Sequence, residues 1–293
     1  MSMLGPVCTA MATPFAPDGS LDPDGAARLA THLVDTGTTT VLVHGTTGES
    51  PTLKLEEVWD LLAAVRDAVG GRAKIMVGTG SNDTDHAIAT TRRATELGAD
   101  AILLVTPYYN KPDQRMLLDH FTVVAAATDL PVVLYDIPGR TAREIALETL
   151  VALADVDNIV GVKDAVGDFV KAAELLARTD GFELYSGADE LNLPYLAVGA
   201  VGFVSVASHF AGRELADMAT AFPTDPVKAR EIHQRLLPLC RALFLESSPA
   251  PLKGALNRFG LPGGPVRRPL LDAEEATVDA VVAAIEHAGI TLP

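Results

Sequence analysis

Residues 74–105 read KIMVGTGSNDTDHAIATTRRATELGADAILLV, and this stretch decides the fold. Lys74-Ile75-Met76-Val77 and Ala101-Ile102-Leu103-Leu104-Val105 are short apolar runs without polar alternation. A strand covered on both faces, as in a parallel sheet, has that pattern. Between the runs Asp83 supplies a helix N-cap and Gly98 a stop, which makes one strand–helix–strand unit. The unit recurs in both directions. Apolar runs cover 7–13 and 40–43 upstream, then 131–135, 159–163, 182–185 and 202–206 downstream. Asp22-Pro23 opens a helix that carries Leu29 and Leu33 on one face and ends near Gly37. Leu55, Val58, Leu62, Val65 and Val69 recur at helical spacing before Gly70-Gly71.

Eight such units in succession predict parallel strands joined by right-handed crossovers. A closed (β/α)8 TIM barrel, class α/β, is the most economical arrangement. An open doubly wound sheet is the alternative, but no G-x-G-x-x-G follows the first strand. The expected organisation is a barrel over residues 1–224 and a C-terminal helical extension over 225–293. Helices are expected there at 225–245, 249–259 and 272–288. Residues 191–212 contain no Asp, Glu, Lys or Arg and are long enough to cross a bilayer. Asn192, Pro194, Gly199 and Gly202 interrupt them, so the reading is a buried helix followed by a buried strand.

Lys and Arg number 23 against 38 Asp and Glu, a net charge of −15. With no basic run, the chain is a poor partner for nucleic acid or an anionic membrane. Cys8 and Cys240 are the only cysteines, and no basic n-region precedes an apolar stretch at the N-terminus. A reduced, cytoplasmic setting is therefore expected. The seven histidines are scattered without H-E-x-x-H, and neither G-x-x-x-x-G-K-[ST] nor G-x-S-x-G occurs. No metal or cofactor is expected.

Barrel chemistry gathers at the C-terminal ends of the strands. Lys163 ends Asn158-Ile159-Val160-Gly161-Val162, where apolar walls favour a neutral, nucleophilic amine. The blander alternative is a lysine that reaches solvent or pairs with Asp164. Tyr135 ends another run, where its phenol is either a proton carrier or a core aromatic. Thr46-Thr47-Gly48-Glu49-Ser50 follows the second run and enters a helix, a place suited to a small carboxylate or to an ordinary cap. Tyr108-Tyr109 lies in a proline-bounded loop after the fourth run, either as surface packing or as a reach into a neighbouring subunit. Arg140 can hold a carboxylate bidentately or make a surface ion pair.

Four segments then carry a resemblance: Gly45-Thr46-Thr47-Gly48-Glu49-Ser50, Thr106-Pro107-Tyr108-Tyr109-Asn110-Lys111-Pro112, Tyr135-Asp136-Ile137-Pro138-Gly139-Arg140-Thr141 and Gly161-Val162-Lys163-Asp164-Ala165. In this order they resemble the signatures of the dihydrodipicolinate synthase family, within the N-acetylneuraminate lyase superfamily of pyruvate-dependent class I aldolases. The likeness spans almost the whole chain, including the tail with Glu246 and Lys253. It implies that Lys163 forms an imine with pyruvate and that Tyr135 moves protons beside it. Thr46 would link Tyr135 to Tyr109 of an adjacent subunit. Thr47 and the main-chain carbonyl of Val204 would face pyruvate, and Arg140 would receive the carboxylate of L-aspartate 4-semialdehyde. It further implies a cofactor-free reaction and a homotetramer built from tight dimers.

Sialic-acid lyases tend to carry Ser then Thr where this chain has Thr46-Thr47, and they lack the equivalent of Arg140. Two other readings stand beside the synthase: an aldolase for a 2-keto-3-deoxy sugar acid or sialic acid, and a catalytically silent barrel. The chain departs from the family pattern at Asp136, where many relatives have Asn. Leu55, Val58 and His86 replace the His, His and Glu usual at the lysine-feedback site, although Asn82 and Tyr108 remain. Loss of that carboxylate predicts weak inhibition by lysine.

Overall fold

The computed structural model describes residues 2–292. Eight strands hydrogen-bond in chain order into a closed barrel: β1 (Val7–Ala10), β2 (Thr40–Val43), β3 (Lys74–Gly78), β4 (Ala101–Val105), β5 (Val132–Asp136), β6 (Ile159–Asp164), β7 (Glu183–Ser186) and β8 (Gly202–Ser205). The pairings are parallel, as at β4–β5, β5–β6 and β6–β7. Helices occupy every connection between consecutive strands. This is the (β/α)8 barrel expected from the apolar runs.

Local chemistry accounts for the boundaries. The Asp22 side chain accepts from Gly25 N ahead of the helix Pro23–Asp35, and Asp83 accepts from His86 N ahead of Thr84–Glu96. Gly37 and Gly98 take positive φ, +107° and +83°, where the chain turns back toward a strand. One expectation needs correction. The first run is strand only as far as Ala10: Ala12 N donates to His209 Nε2 at 3.1 Å and so is diverted from the sheet ladder. Leu55 opens the helix Leu55–Val69 but is 39% exposed, while Val58, Leu61, Leu62, Val65 and Val69 form the buried face. Its first-turn position lies before that face meets the core.

The chain divides into two compact units. One, Ile75–Val204, contains β4 to β7 entire. Gly161 is required there because a Cβ would sit 2.3 Å from the Glu183 carbonyl oxygen across the β6–β7 pair. The other unit joins Leu4–Lys74 to the segment from Ser205 onward. It holds β1, β2 and the helices Ser208–Ala221, Pro226–Ala242, Ala250–Arg258 and Glu275–His287. The last three are the helices expected in the tail, each within a few residues of its expected bounds. The uncharged 191–212 segment resolves into the helix Asn192–Val198, β8 and the start of the next helix. Among the described residues, no helix is long and apolar enough to cross a membrane.

Candidate active site

Within Ile75–Val204 the sheet register sets the central pair. Tyr135 on β5 faces Lys163 on β6, and Lys163 faces Tyr185 on β7. Neighbours in register project to the same face of a sheet, so the lysine and the tyrosine share one face. Lys163 is 6% exposed and Tyr135 5%. The Lys163 Nζ stands 4.0 Å from the Tyr135 ring centroid. Room for the lysine stem comes from Gly187, where a Cβ would lie 3.0 Å from Lys163 Cγ. The Tyr135 carbonyl accepts from both Thr106 N and Thr106 Oγ1 at 3.0 Å, which fixes the β5 end.

Asp164 follows Lys163 and therefore points to the opposite face. Its carboxylate accepts from Val166 N at 2.7 Å, and Tyr195 lies beside it. Behind the strand ends, Lys171 Nζ donates to Asp136 Oδ2 at 3.1 Å, Glu144 Oε1 at 2.7 Å and the Ile145 carbonyl at 2.6 Å. Burial pushes the Asp136 carboxyl up to about 7, with Lys171 pulling the other way. Burial also raises Asp164. Asp136 is thus one end of a buried strap that ties β5 and the loop beyond Arg140 to the helix Phe169–Arg178.

Arg140 lies on the exposed side of the short helix Pro138–Thr141, four residues past the end of β5. Tyr109 is 89% exposed at φ +72°, so its ring is not packed against the rest of the chain. Val204 is buried on β8.

In the other unit, the loop after β2 carries Thr46, half-buried, and Thr47, 5% exposed. Its turn closes through Gly48 N and Ser50 N, both donating to the Gly45 carbonyl. Thr13 Oγ1 donates to the Gly48 carbonyl at 2.7 Å. Glu49 is buried in the left-handed region at φ +57° and ion-pairs with Lys253 at 2.8 Å. The structure therefore brings Lys163 and Tyr135 together, and it puts Arg140 and Tyr109 at exposed positions. Among the described residues, no group of three or more His, Cys, Asp or Glu is arranged to hold a metal ion.

Sequence reading assigned no role to two sets of residues, Lys171 with Glu144 and the Glu49–Lys253–Arg267 cluster. A lysine at a helical position that is otherwise inward-facing was the available signal for the first. Lys171 lies beside Ala172 and Leu175 among the buried residues of its helix.

A parallel barrel with a buried lysine near the end of β6, against a tyrosine near the end of β5, has the layout of a Schiff-base lyase of the class I aldolase type. The profile of the Dihydrodipicolinate synthetase family matches residues 3–288, and the chain belongs to that family. It is 47% identical over 288 residues to the 4-hydroxy-tetrahydrodipicolinate synthase of Moorella thermoacetica, covering 98% of this chain and 99% of that one. It is 50% identical to 4-hydroxy-tetrahydrodipicolinate synthase 2 of Streptomyces coelicolor, covering 96% of each. Among solved structures, a dihydrodipicolinate synthase of Bacillus anthracis superposes with TM-score 0.94 at 44% identity over the whole of both chains. The enzyme from Cyanidioschyzon merolae, solved with lysine bound, gives 0.96 at 41% identity over 99% of each.

Proposed function

We propose that this enzyme condenses pyruvate with L-aspartate 4-semialdehyde to give 4-hydroxy-tetrahydrodipicolinate, a step of lysine and diaminopimelate biosynthesis, using Lys163 as the Schiff-base lysine. The supporting observation is the buried Lys163 amine 4.0 Å from the Tyr135 ring at register-paired strand ends. The neutral amine adds to the pyruvate keto carbon, and loss of water leaves a protonated imine that acts as the electron sink. Loss of a C3 proton gives an enamine. Its carbon attacks the aldehyde, and the substrate amine then closes on the imine carbon and releases Lys163. One pyruvate and one semialdehyde become one cyclic product and one water.

Tyr135 carries protons to and from the carbinolamine, with Thr46 and an adjacent subunit's Tyr109 completing a relay. Thr47 and the Val204 carbonyl face pyruvate, and Arg140 receives the aldehyde's carboxylate as a bidentate partner. The exposure of Tyr109 supports its use by a second copy, and we read the enzyme as a cytoplasmic homotetramer built from such dimers. Steady-state turnover of pyruvate with a panel of aldehydes tests this assignment. L-aspartate 4-semialdehyde is expected to be the preferred acceptor; preference for a polyhydroxy aldehyde contradicts it and favours a sugar-acid aldolase.

A further inference from the structure

Lys253 belongs to the helix Ala250–Arg258 of the C-terminal extension, yet it is among the most deeply buried side chains, at 1% exposure. Its Nζ donates to Glu49 Oε1 at 2.8 Å and to the Thr13 carbonyl at 3.0 Å, and it stands 4.2 Å from the Phe15 ring centroid. Glu49 Oε2 accepts from the main-chain N of Arg267 at 2.8 Å. The Arg267 side chain continues the clamp: Nη1 donates to the Thr52 carbonyl at 2.8 Å, Nε to the Gly19 carbonyl at 2.9 Å, and the guanidinium grips Glu57. It also lies 4.1 Å from the Phe15 ring. Thr13, anchored by Lys253 through its carbonyl, uses its own hydroxyl to hold Gly48. Helix placement in the extension is tight as well, since a Cβ on Gly254 would come within 2.6 Å of Val278.

These contacts converge on residues 48–52, directly after Thr46 and Thr47, through the Glu49 carboxylate and the Gly48 and Thr52 carbonyls. Glu49 holds a left-handed conformation, which a residue with a Cβ keeps only when its surroundings over-determine it. A buried ion pair contributes little net stability relative to apolar side chains of the same volume. Stability is thus a poor reason for placing a lysine and a glutamate here. The geometry of the loop they hold is a better one.

We propose that Lys253, assisted by Arg267, is a positioning residue that sets the 45–52 loop for recognition of the pyruvate carboxylate, which makes the C-terminal extension part of the substrate site. This rests on the role given above to Thr47. Lys253 does not touch substrate; it acts through Glu49 and Thr13.

The test uses full-length enzyme and separates pyruvate from aldehyde kinetics. Lys253→Met is expected to raise the KM for pyruvate about tenfold, the equivalent of one weakened contact to a charged group. The KM for the aldehyde should stay within about twofold, because the loop contacts pyruvate first. The double variant Lys253→Met with Glu49→Gln removes the uncompensated buried carboxylate. It is expected to regain thermal stability without regaining the pyruvate KM. A folded Lys253→Met enzyme with unchanged pyruvate KM, or with both KM values raised alike, overturns the proposal. If Lys253→Met does not fold, Arg267→Met cuts the clamp at its more accessible end and should raise the same KM about threefold; an unchanged value again overturns the proposal. Wild-type protein that forms no borohydride-trapped pyruvate adduct contradicts the functional reading itself. That result differs from an adduct-forming enzyme whose pyruvate KM ignores Lys253.

Discussion

His209 offers the sharpest link between one buried group and a measurable property of the fold. It is wholly buried in the first turn of the helix Ser208–Ala221, which follows β8. Its Nδ1–H donates to the Val206 carbonyl at 2.8 Å, which leaves Nε2 to accept from Ala12 N at 3.1 Å. His32 Nε2 donates to the His209 carbonyl at 3.2 Å. A second proton on the ring would point a donor at the Ala12 N–H and place a charge where no water reaches. Burial accordingly depresses the His209 pKa from 6.5 to about 4. The folded state then binds fewer protons than the unfolded chain between these values. The stability contribution is complete above 6.5 and is lost as pH falls toward 4. Between pH 7 and pH 5 this one group should remove about 2 kcal/mol of unfolding free energy. His209→Gln keeps an acceptor for Ala12 N but cannot titrate. Denaturant unfolding of both proteins at pH 5 and pH 7 gives a double difference in which His120 and His233, also depressed by burial but not in contact with His209, cancel. The variant should be weaker at pH 7 and less sensitive to acid by about 2 kcal/mol. An equal loss between pH 7 and pH 5 in both proteins would refute the reasoning.

Asp136 should show the opposite sign. Its folded pKa of about 7 exceeds the ordinary 3.8, so its stability contribution is present below 3.8 and lost as pH rises through 7. Asp136→Asn should remove a slope of about 1.4 kcal/mol per pH unit over that window, checked by the same unfolding series. Arg140→Ala should raise the KM for the aldehyde by roughly tenfold to a hundredfold while borohydride trapping of pyruvate survives. Trapping that fails in this variant would give Arg140 a different role. Millimolar lysine should barely slow turnover, because exposed His86 and half-exposed Leu55 cannot supply the missing carboxylate and Val58 is fully buried. Strong inhibition in a steady-state assay would contradict that reading.

The barrel was legible because each strand is a short, doubly buried apolar run, and the strands end within a residue or two of those runs. The exception at β1 arises from His209, nearly two hundred residues away, whose ring captures Ala12 N. Lys163 and Tyr135 were legible because a reactive side chain ending an apolar strand can be named from sequence alone. Their sharing of one sheet face needed the β5–β6 register, which contains a shift between Val132 and Val133. The clamp on the 45–52 loop was not legible. Glu49 meets Lys253 and Arg267 across 204 and 218 residues, and neither partner lies in a run whose pattern signals burial of a charge. Asp136 stood out in the sequence only as a departure from the family. The Lys171 strap shows what it does in this chain.

The central claim is that one amine condenses with pyruvate. Three lysines buried among the described residues make the claim specific: Lys163, Lys171 and Lys253 are 6%, 9% and 1% exposed. Lys171 and Lys253 are engaged by carboxylates, Asp136 and Glu49 respectively. Enzyme treated with pyruvate and borohydride, then digested and mapped by mass spectrometry, should carry the reduced adduct on the peptide containing Lys163 and nowhere else. Lys163→Ala should abolish both label and turnover. A label on Lys171, on Lys253 or on no lysine would contradict the assignment.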